Sequence, residues 1–139
     1  MIKLEAISRK GSDTMSAYFE KMLHQRLRFQ GTYSGCKVFK KKDRKRTIVY
    51  YIISFKNLVE VKSKRLFRDH NHIKVSKKIY LRFAPLPINQ LDYQFTAEIY
   101  RYTEPPKNHN GFYYRTFELG LKEIKKIREV SIESLNLNP

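Results

Sequence analysis

Residues 69–72, DHNH, place two imidazoles and a carboxylate side by side within a basic stretch, residues 59–75 (VEVKSKRLFRDHNHIKV). Histidine acts as a general base, as a metal ligand or as a hydrogen-bond partner, because its protonation changes near neutral pH. The spacing therefore raises three alternatives: a metal site, a nuclease site and a contact with nucleic acid.

A metal site has the least support of the three. His70 and His72 are two residues apart, so on a strand both would point to one face and could begin a site. Asp69 would point to the opposite face, and no cysteine or pair of carboxylates stands nearby in the sequence to complete the ligand set. We therefore expect no metal.

The same four residues are similar to the Asp-His-x-His core of HNH endonucleases, in which one histidine activates water and others hold a metal. Asn110, beside His109, could supply a later element of that motif. The cysteine pairs and the Gly/Arg run that often accompany the core are absent from this sequence. An HNH-like endonuclease stays as an alternative, and we predict that the protein is not an enzyme.

Charge favours contact with nucleic acid. The chain carries 29 Lys and Arg against 13 Asp and Glu, a formal net charge of +16. Self-repulsion of this size destabilises a compact chain unless a polyanion neutralises it. Nucleic acid is the leading candidate and an anionic membrane surface the second, but no apolar run approaches the ~20 residues of a membrane span. We predict a nucleic-acid-binding protein without a cofactor or a small-molecule substrate.

Length and cysteine content set further bounds. The 139 residues suit a single domain, 1–139, with a real apolar core. Cys36 is the only cysteine in the sequence, which excludes an intrachain disulfide and a multi-cysteine zinc site. The opening residues 1–4 lead directly into an alternating pattern, so we expect no secretory signal.

Hydrophobic periodicity predicts the order of the elements. Strands are expected at 2–8, 32–39, 47–55 and 130–137, with residues 79–83 continuing a strand-like pattern, and helices at 13–29, ending at Gly31, and at 121–127. Residues 92–102 and 112–117 are expected to pair as an inserted hairpin within 84–117. Without that hairpin the order is βαββαβ, which predicts an α+β, ferredoxin-like split βαβ sandwich with a projecting basic hairpin at 40–66.

Residues 51–75 resemble the signature of the tenth small-subunit ribosomal protein, the S-ten family. That signature has a strand ending in Val, an acidic residue, Lys-Ser-Arg, an aromatic residue, and then a His before a basic and an apolar residue. The matching positions here are Val59, Glu60, Lys62-Ser63-Lys64, Phe67, His72, Lys74 and Val75. The sequence departs from the family at residues 36–47 and 56–58, and residues 79–116 have no counterpart.

The resemblance implies a structural protein of the small ribosomal subunit head. The sequence is rich in Lys, Ile, Asn, Tyr and Phe, whose codons are A/T-rich, so we expect an A/T-rich genome such as an organelle's and a mitochondrial ribosome. Its partners would be small-subunit rRNA and neighbouring head proteins. Phe67 would face the core, and Tyr50 and Tyr51 would belong to the core rather than stack on bases. The predicted RNA contacts are Lys40, Lys41, Lys42, Arg44, Lys45, Arg46, Lys62, Lys64, Arg65, Arg68, His70, His72 and Lys74. The other alternative is a phage or plasmid protein that binds single-stranded or duplex DNA.

Overall fold

β-branched and aromatic residues dominate the middle of the chain and favour extended strands. The computed structural model describes residues 17–103, 107–109, 112–114 and 117–131. Residues 17–20 are helical and lead through turns into the first strand. The elements that follow are β1 Arg26–Asp43, β2 Arg46–Glu60, β3 Leu66–Val75, α1 Lys77–Phe83, β4 Asp92–Thr103, β5 Lys107–His109, β6 Phe112–Tyr114 and β7 Phe117–Val130.

Five strands form one sheet in the order β3-β2-β1-β4-β7, and each neighbouring pair is antiparallel. Strands β1, β2 and β3 follow one another through hairpins, and β4 returns to lie beside β1, which is a Greek-key arrangement. The two edge strands also approach each other, because the Arg68 guanidinium of β3 donates to the Leu119 carbonyl of β7 at 2.8 Å. The sheet is thus curled into a partly open barrel.

The inside of this barrel is filled largely by aromatic rings. Phe29 and Phe55, from β1 and β2, pack against Phe95 of β4 with ring centroids 6.3 and 5.0 Å apart. Phe83 of α1 packs on this group from one side and Phe19 of the helical segment from another. Each of the five rings is at most 1% exposed. Burying such a side chain contributes roughly 1.5–3 kcal/mol, so this cluster anchors the strands that carry the outer surface.

The predicted strand at 79–83 is wrong, because these residues lie in the helix α1. The Ser76 hydroxyl accepts a hydrogen bond from the Ile79 N–H at 3.2 Å and caps the start of the helix. Phe83 follows one helical turn after Ile79, and both pack on the core. Periodicity alone does not separate a short apolar run in a helix from one in a strand, and here the cap decides.

The predicted helix at 121–127 is also wrong, since this segment belongs to β7. The backbones of Glu123 and Lys126 adopt positive φ, and the pairing of β7 with β4 shifts register twice. Each bulge adds one residue to the alternation of two, so every third residue faces inward and imitates helical spacing. The three apolar residues that face the core in this way are Leu121, Ile124 and Ile127.

The predicted helix at 13–29 is correct only at 17–20 among the described residues, because β1 already begins at Arg26. Gly31 does not end a helix. It lies within β1, where a Cβ atom would stand 2.7 Å from Cδ1 of Leu58.

The strands predicted at 32–39, 47–55 and 92–102 are confirmed within β1, β2 and β4. Residues 92–102 pair with residues 118–130 of β7, whereas residues 112–114 pair with β5. The chain is thus a mostly antiparallel α+β protein. The ferredoxin-like order is not confirmed, because its second helix is a strand. The predicted strand 2–8 and most of the predicted strand 130–137 lie outside the described residues.

The predicted basic arm at 40–66 is shorter than expected. Residues 40–49 extend beyond the core, whereas Ile53, Phe55 and Leu58 are fully buried within the barrel. Likewise, the expected inserted hairpin at 84–117 includes β4, which is a central strand. No helix among the described residues is long and apolar enough to cross a membrane.

Candidate nucleic-acid interface

Alternation along β1, β2 and β3 sorts their side chains between the core and the outer surface. Ile53 of β2 and Ile73 of β3 lie opposite each other and are at most 2% exposed, so their neighbours point outward. The outward positions of the three strands form one continuous surface, which we call the basic face. Its residues are Lys37, Phe39, Lys41, Tyr50, Ile52, Ser54, Lys56, His70, His72 and Lys74.

Aromatic rings and cations alternate on the basic face. The Lys37 ammonium lies 5.5 Å from the Phe39 ring centroid, and the Lys74 ammonium lies 4.3 Å from that of Tyr50. Phe39 and Tyr50 are opposite each other in the β1–β2 ladder, and Phe39 is 52% exposed. Two rings therefore present apolar surface to solvent between positive charges, an arrangement suited to a ligand that is both flat and anionic.

The ten residues of the basic face carry no negative charge, since none of them is Asp or Glu. Alternation places Asp43 on the same side at the far end of β1, where it lies opposite Arg46 of β2, which offsets its charge. Phosphates that approach this face therefore meet attraction from every titratable side chain that carries charge there.

The two histidines of the DHNH motif lie side by side on this surface, at outward positions of β3. His72 shares a 2.8 Å hydrogen bond between Nδ1 and the Ser54 hydroxyl. His70 lies opposite Lys56 in the β2–β3 ladder. No group of three His, Cys, Asp or Glu residues that could hold a metal occurs among the described residues. Among the described residues, the DHNH motif thus contributes two imidazoles to the outward surface of β3.

The basic run at the β1–β2 turn continues the basic face beyond the barrel. Lys41 belongs to the face itself, whereas Lys40 and Lys42 point to the other side of the hairpin by alternation. The whole of this turn is exposed. The predicted contact residues that the structure brings together here are Lys40, Lys41, Lys42, Arg44, Lys45 and Arg46.

Three other predicted contacts lie at the opposite end of β2, in the turn that leads to β3. Lys62 and Lys64 are exposed there, and the Arg65 guanidinium lies 4.3 Å from the Tyr18 ring centroid. The turn is organised around Glu60, which is 2% exposed and accepts hydrogen bonds from the hydroxyls of Tyr18 and Ser63. These cations are therefore separated from the basic hairpin by the length of β2.

Arg68 serves the fold in this structure. Its guanidinium donates to the Leu119 carbonyl at 2.8 Å and to the Glu118 carboxylate at 3.4 Å. Both partners lie on β7, so Arg68 joins the two edge strands. Phe67, beside it, faces the core as predicted, in edge-to-face contact with Phe19 at 5.0 Å.

Sequence reasoning missed Lys37, Phe39 and Lys56 and assigned Tyr50 wrongly to the core. Tyr50 instead points outward beneath Lys74, whereas Tyr51 packs on Tyr80 of α1 at 5.2 Å. The signal that identifies Lys37 and Phe39 is their alternation with Lys41 at every second position of β1. The basic run directly after them obscures that pattern.

Comparison of the chain with protein-family models, curated proteins and solved structures found no match.

Proposed function

We propose that this protein binds single-stranded nucleic acid along the basic face, with the strand continuing onto the β1–β2 hairpin. The observation that carries the proposal is the pair of outward rings, Phe39 and Tyr50, enclosed by lysines and free of carboxylates. Lysines contact phosphates, and the rings stack on bases, which is how single strands are held without sequence preference.

A single strand suits this surface better than a duplex. In a duplex the base faces are stacked on one another, so exposed aromatic rings find no partner, whereas an unpaired base offers its π-face. The rings of Phe39 and Tyr50 stand on a sheet rather than on a helix that could enter a major groove. The favoured ligand is therefore an unpaired strand of DNA or RNA.

The topology supports this choice. A five-stranded, partly open Greek-key barrel is the plan of the OB-fold, which binds oligonucleotides on strands 2 and 3 and on the loops that join strands 1–2 and 4–5. Here the basic face covers β2 and β3, and the basic hairpin is the loop between β1 and β2. The connection from β4 to β7 corresponds to the other loop.

Fluorescence anisotropy with a labelled oligothymidylate, an oligouridylate and a duplex of equal length tests the proposal. We expect the single strands to bind at least about tenfold more tightly than the duplex. Replacing Phe39 and Tyr50 together by Leu should weaken single-strand binding about five- to hundredfold per base stack lost. Leu81→Ala, at an exposed position of α1, is the matched control and should leave binding unchanged.

Two results would overturn the proposal: equal affinity for duplex and single strand, or unchanged affinity after loss of both rings. Incubation of the same oligonucleotides with Mg²⁺ or Mn²⁺ addresses the endonuclease alternative. We expect them to be recovered intact, whereas cleavage that His70→Ala and His72→Ala abolish would establish a nuclease.

A ribosomal role is a second candidate, supported by the S-ten resemblance, because His72 and Lys74 of the matching segment lie on the basic face. The Greek-key order of the sheet adds no support to the ferredoxin-like fold that this resemblance implies. Sedimentation of the tagged protein from native cells through sucrose gradients decides the matter. Co-migration with small ribosomal subunits at high salt would assign the single strand to rRNA, and migration at the top would exclude that role.

A further inference from the structure

A notch opens on the outer surface where the edge strands β3 and β7 meet. On one side its rim is formed by Ile52, His72 and Lys74, which all belong to the basic face. On the other side stand the rings of Tyr100 and Tyr102 from the end of β4. The notch has a volume of about 140 Å³ and is separate from the Phe39–Tyr50 pair.

The two tyrosine rings pack directly over Gly120 of β7, which has no side chain to push them away. Their centroids are 5.7 Å apart at an angle of 38°. A Cβ atom on Gly120 would stand 3.0 Å from the Tyr100 ring and 3.1 Å from that of Tyr102, so both rings lie directly over this glycine. The Lys122 ammonium lies 5.5 Å from the Tyr100 centroid. An aromatic wall thus faces the notch, and the Lys122 ammonium beside it also lies 3.9 Å from the Glu98 carboxylate.

The buried polar side chain at the floor of the notch has hydrogen-bond partners. The side-chain amide of Asn71, 4% exposed, donates to the Arg68 carbonyl at 2.8 Å. The Arg68 guanidinium donates to the Leu119 carbonyl across the junction of β3 and β7, which we call the seam. Ile73 and Leu121 supply apolar floor atoms. None of the residues that line the notch is acidic. A flat, uncharged ring attached to an anionic chain fits this combination.

The volume limits which ring fits. Small-molecule pockets span roughly 300–1,000 Å³, so the notch is too small for a whole nucleotide. A cavity of about 150 Å³ holds one benzene ring, so the notch has room for one six-membered ring, whose substituents would stay at its open mouth. We propose that the notch receives one unstacked pyrimidine base of the strand bound on the basic face, an inference that rests on the proposed function.

The position of the notch supports this ligand. Its rim shares Ile52, His72 and Lys74 with the basic face, so a strand whose phosphates follow the β2 and β3 cations passes directly over the opening. A larger open depression of about 560 Å³ lies elsewhere, near Leu91 and Glu129, and its described lining has neither a basic nor an aromatic residue. The seam is the better place for a base.

A position scan of the oligonucleotide tests the proposal. The shortest oligothymidylate that binds with full affinity is first determined, because a minimal length fixes the register of the strand. Each thymine is then replaced in turn by an abasic site or by adenine. We expect one position at which either replacement weakens binding to the full chain about five- to hundredfold, in addition to positions that stack on Phe39 and Tyr50.

Tyr102 variants identify that position. Tyr102→Leu removes the ring and should abolish the penalty for an abasic site or a purine there, while the penalties at the Phe39 and Tyr50 positions persist. Tyr102→Phe keeps the ring and should behave like the unchanged chain. Tyr102 is 37% exposed, so neither change should disturb folding.

The possible results separate the two proposals. If the unchanged chain binds no single strand, the proposed function fails and the notch proposal with it. If strands bind but no position responds to Tyr102→Leu, or if purine is accepted as well as pyrimidine at the responding position, only the notch proposal is overturned.

Discussion

The lysines of the basic face allow a sharp test of where the strand lies. Lys37, Lys41, Lys56 and Lys74 occupy outward positions on β1, β2 and β3. Replacing all four by Gln lowers the formal net charge from +16 to +12 (16 − 4). Each replacement removes an ammonium group and keeps a long polar side chain, so the sheet itself should fold normally.

The expected effect follows from counterion release. Each phosphate contact with a single strand contributes about 0.7 to the slope of log K against log salt concentration. If each lysine neutralises one phosphate, the fourfold variant should lose about 2.8 units of slope. Lys56 is half-buried and the other three are exposed, so Lys56 should account for the smallest share.

The assay is anisotropy titration of an oligothymidylate at several salt concentrations, with a second fourfold variant as the control. The control replaces Lys21, Lys77, Lys78 and Lys125, which are exposed and lie off the basic face. Its net charge is also +12 (16 − 4), so any general charge effect is matched. The control should keep nearly the full slope. Equal slopes for the two variants would refute the assignment, because binding would then depend on overall charge.

Three further changes probe the scaffold. Gly31→Ala places a Cβ against Leu58 and should lower the free energy of unfolding by about 1–3 kcal/mol in urea titration, and an unchanged midpoint would contradict the close packing. Arg68→Met removes the charged donor to Leu119, so stability should fall by about 1.5–3 kcal/mol by thermal unfolding; a silent change would mean that the seam closes without it. Burial, with a hydrogen bond to a neighbouring thiol, raises the pKa of Tyr33 above its ordinary value of about 10. Between the ordinary and the raised pKa only the unfolded chain has lost the Tyr33 proton, so the contribution of Tyr33 to stability should be constant below about pH 10 and fall above it. Tyr33→Phe should make the fall in the free energy of unfolding above that pH shallower.

Composition and local pattern predicted the parts of the fold that depend on neighbouring residues. The β-branched run at 47–55 and the alternating run at 92–102 became β2 and β4, since a strand with one buried face reveals its period of two. The net charge predicted a polyanionic partner, and the DHNH motif was correctly placed on a strand with both histidines on one face.

The remaining features depend on pairing between distant residues. The bulges of β7 follow from its register against β4, and no pattern within 121–127 reveals them. Tyr50 points outward because the opposite face of β2 packs on the core. On that face Phe55 contacts Phe95, which lies 40 residues further along the chain (95 − 55). The notch exists because Gly120 comes to lie beneath two rings of β4. Such juxtapositions are set by the curl of the sheet.

The bulged strand β7 also bears on the order in which the molecule assembles. Its segment has Lys and Glu between apolar residues at helical spacing, so an isolated chain favours helical turns there. That local preference conflicts with the final strand, and the conflict is relieved only once β4 offers a partner. We therefore expect β7 to form late, after the β1–β2–β3 meander and β4 have collapsed around their aromatic rings. Because the notch needs both β3 and β7, local opening of β7 should remove the notch and leave the basic face of β1, β2 and β3 in place.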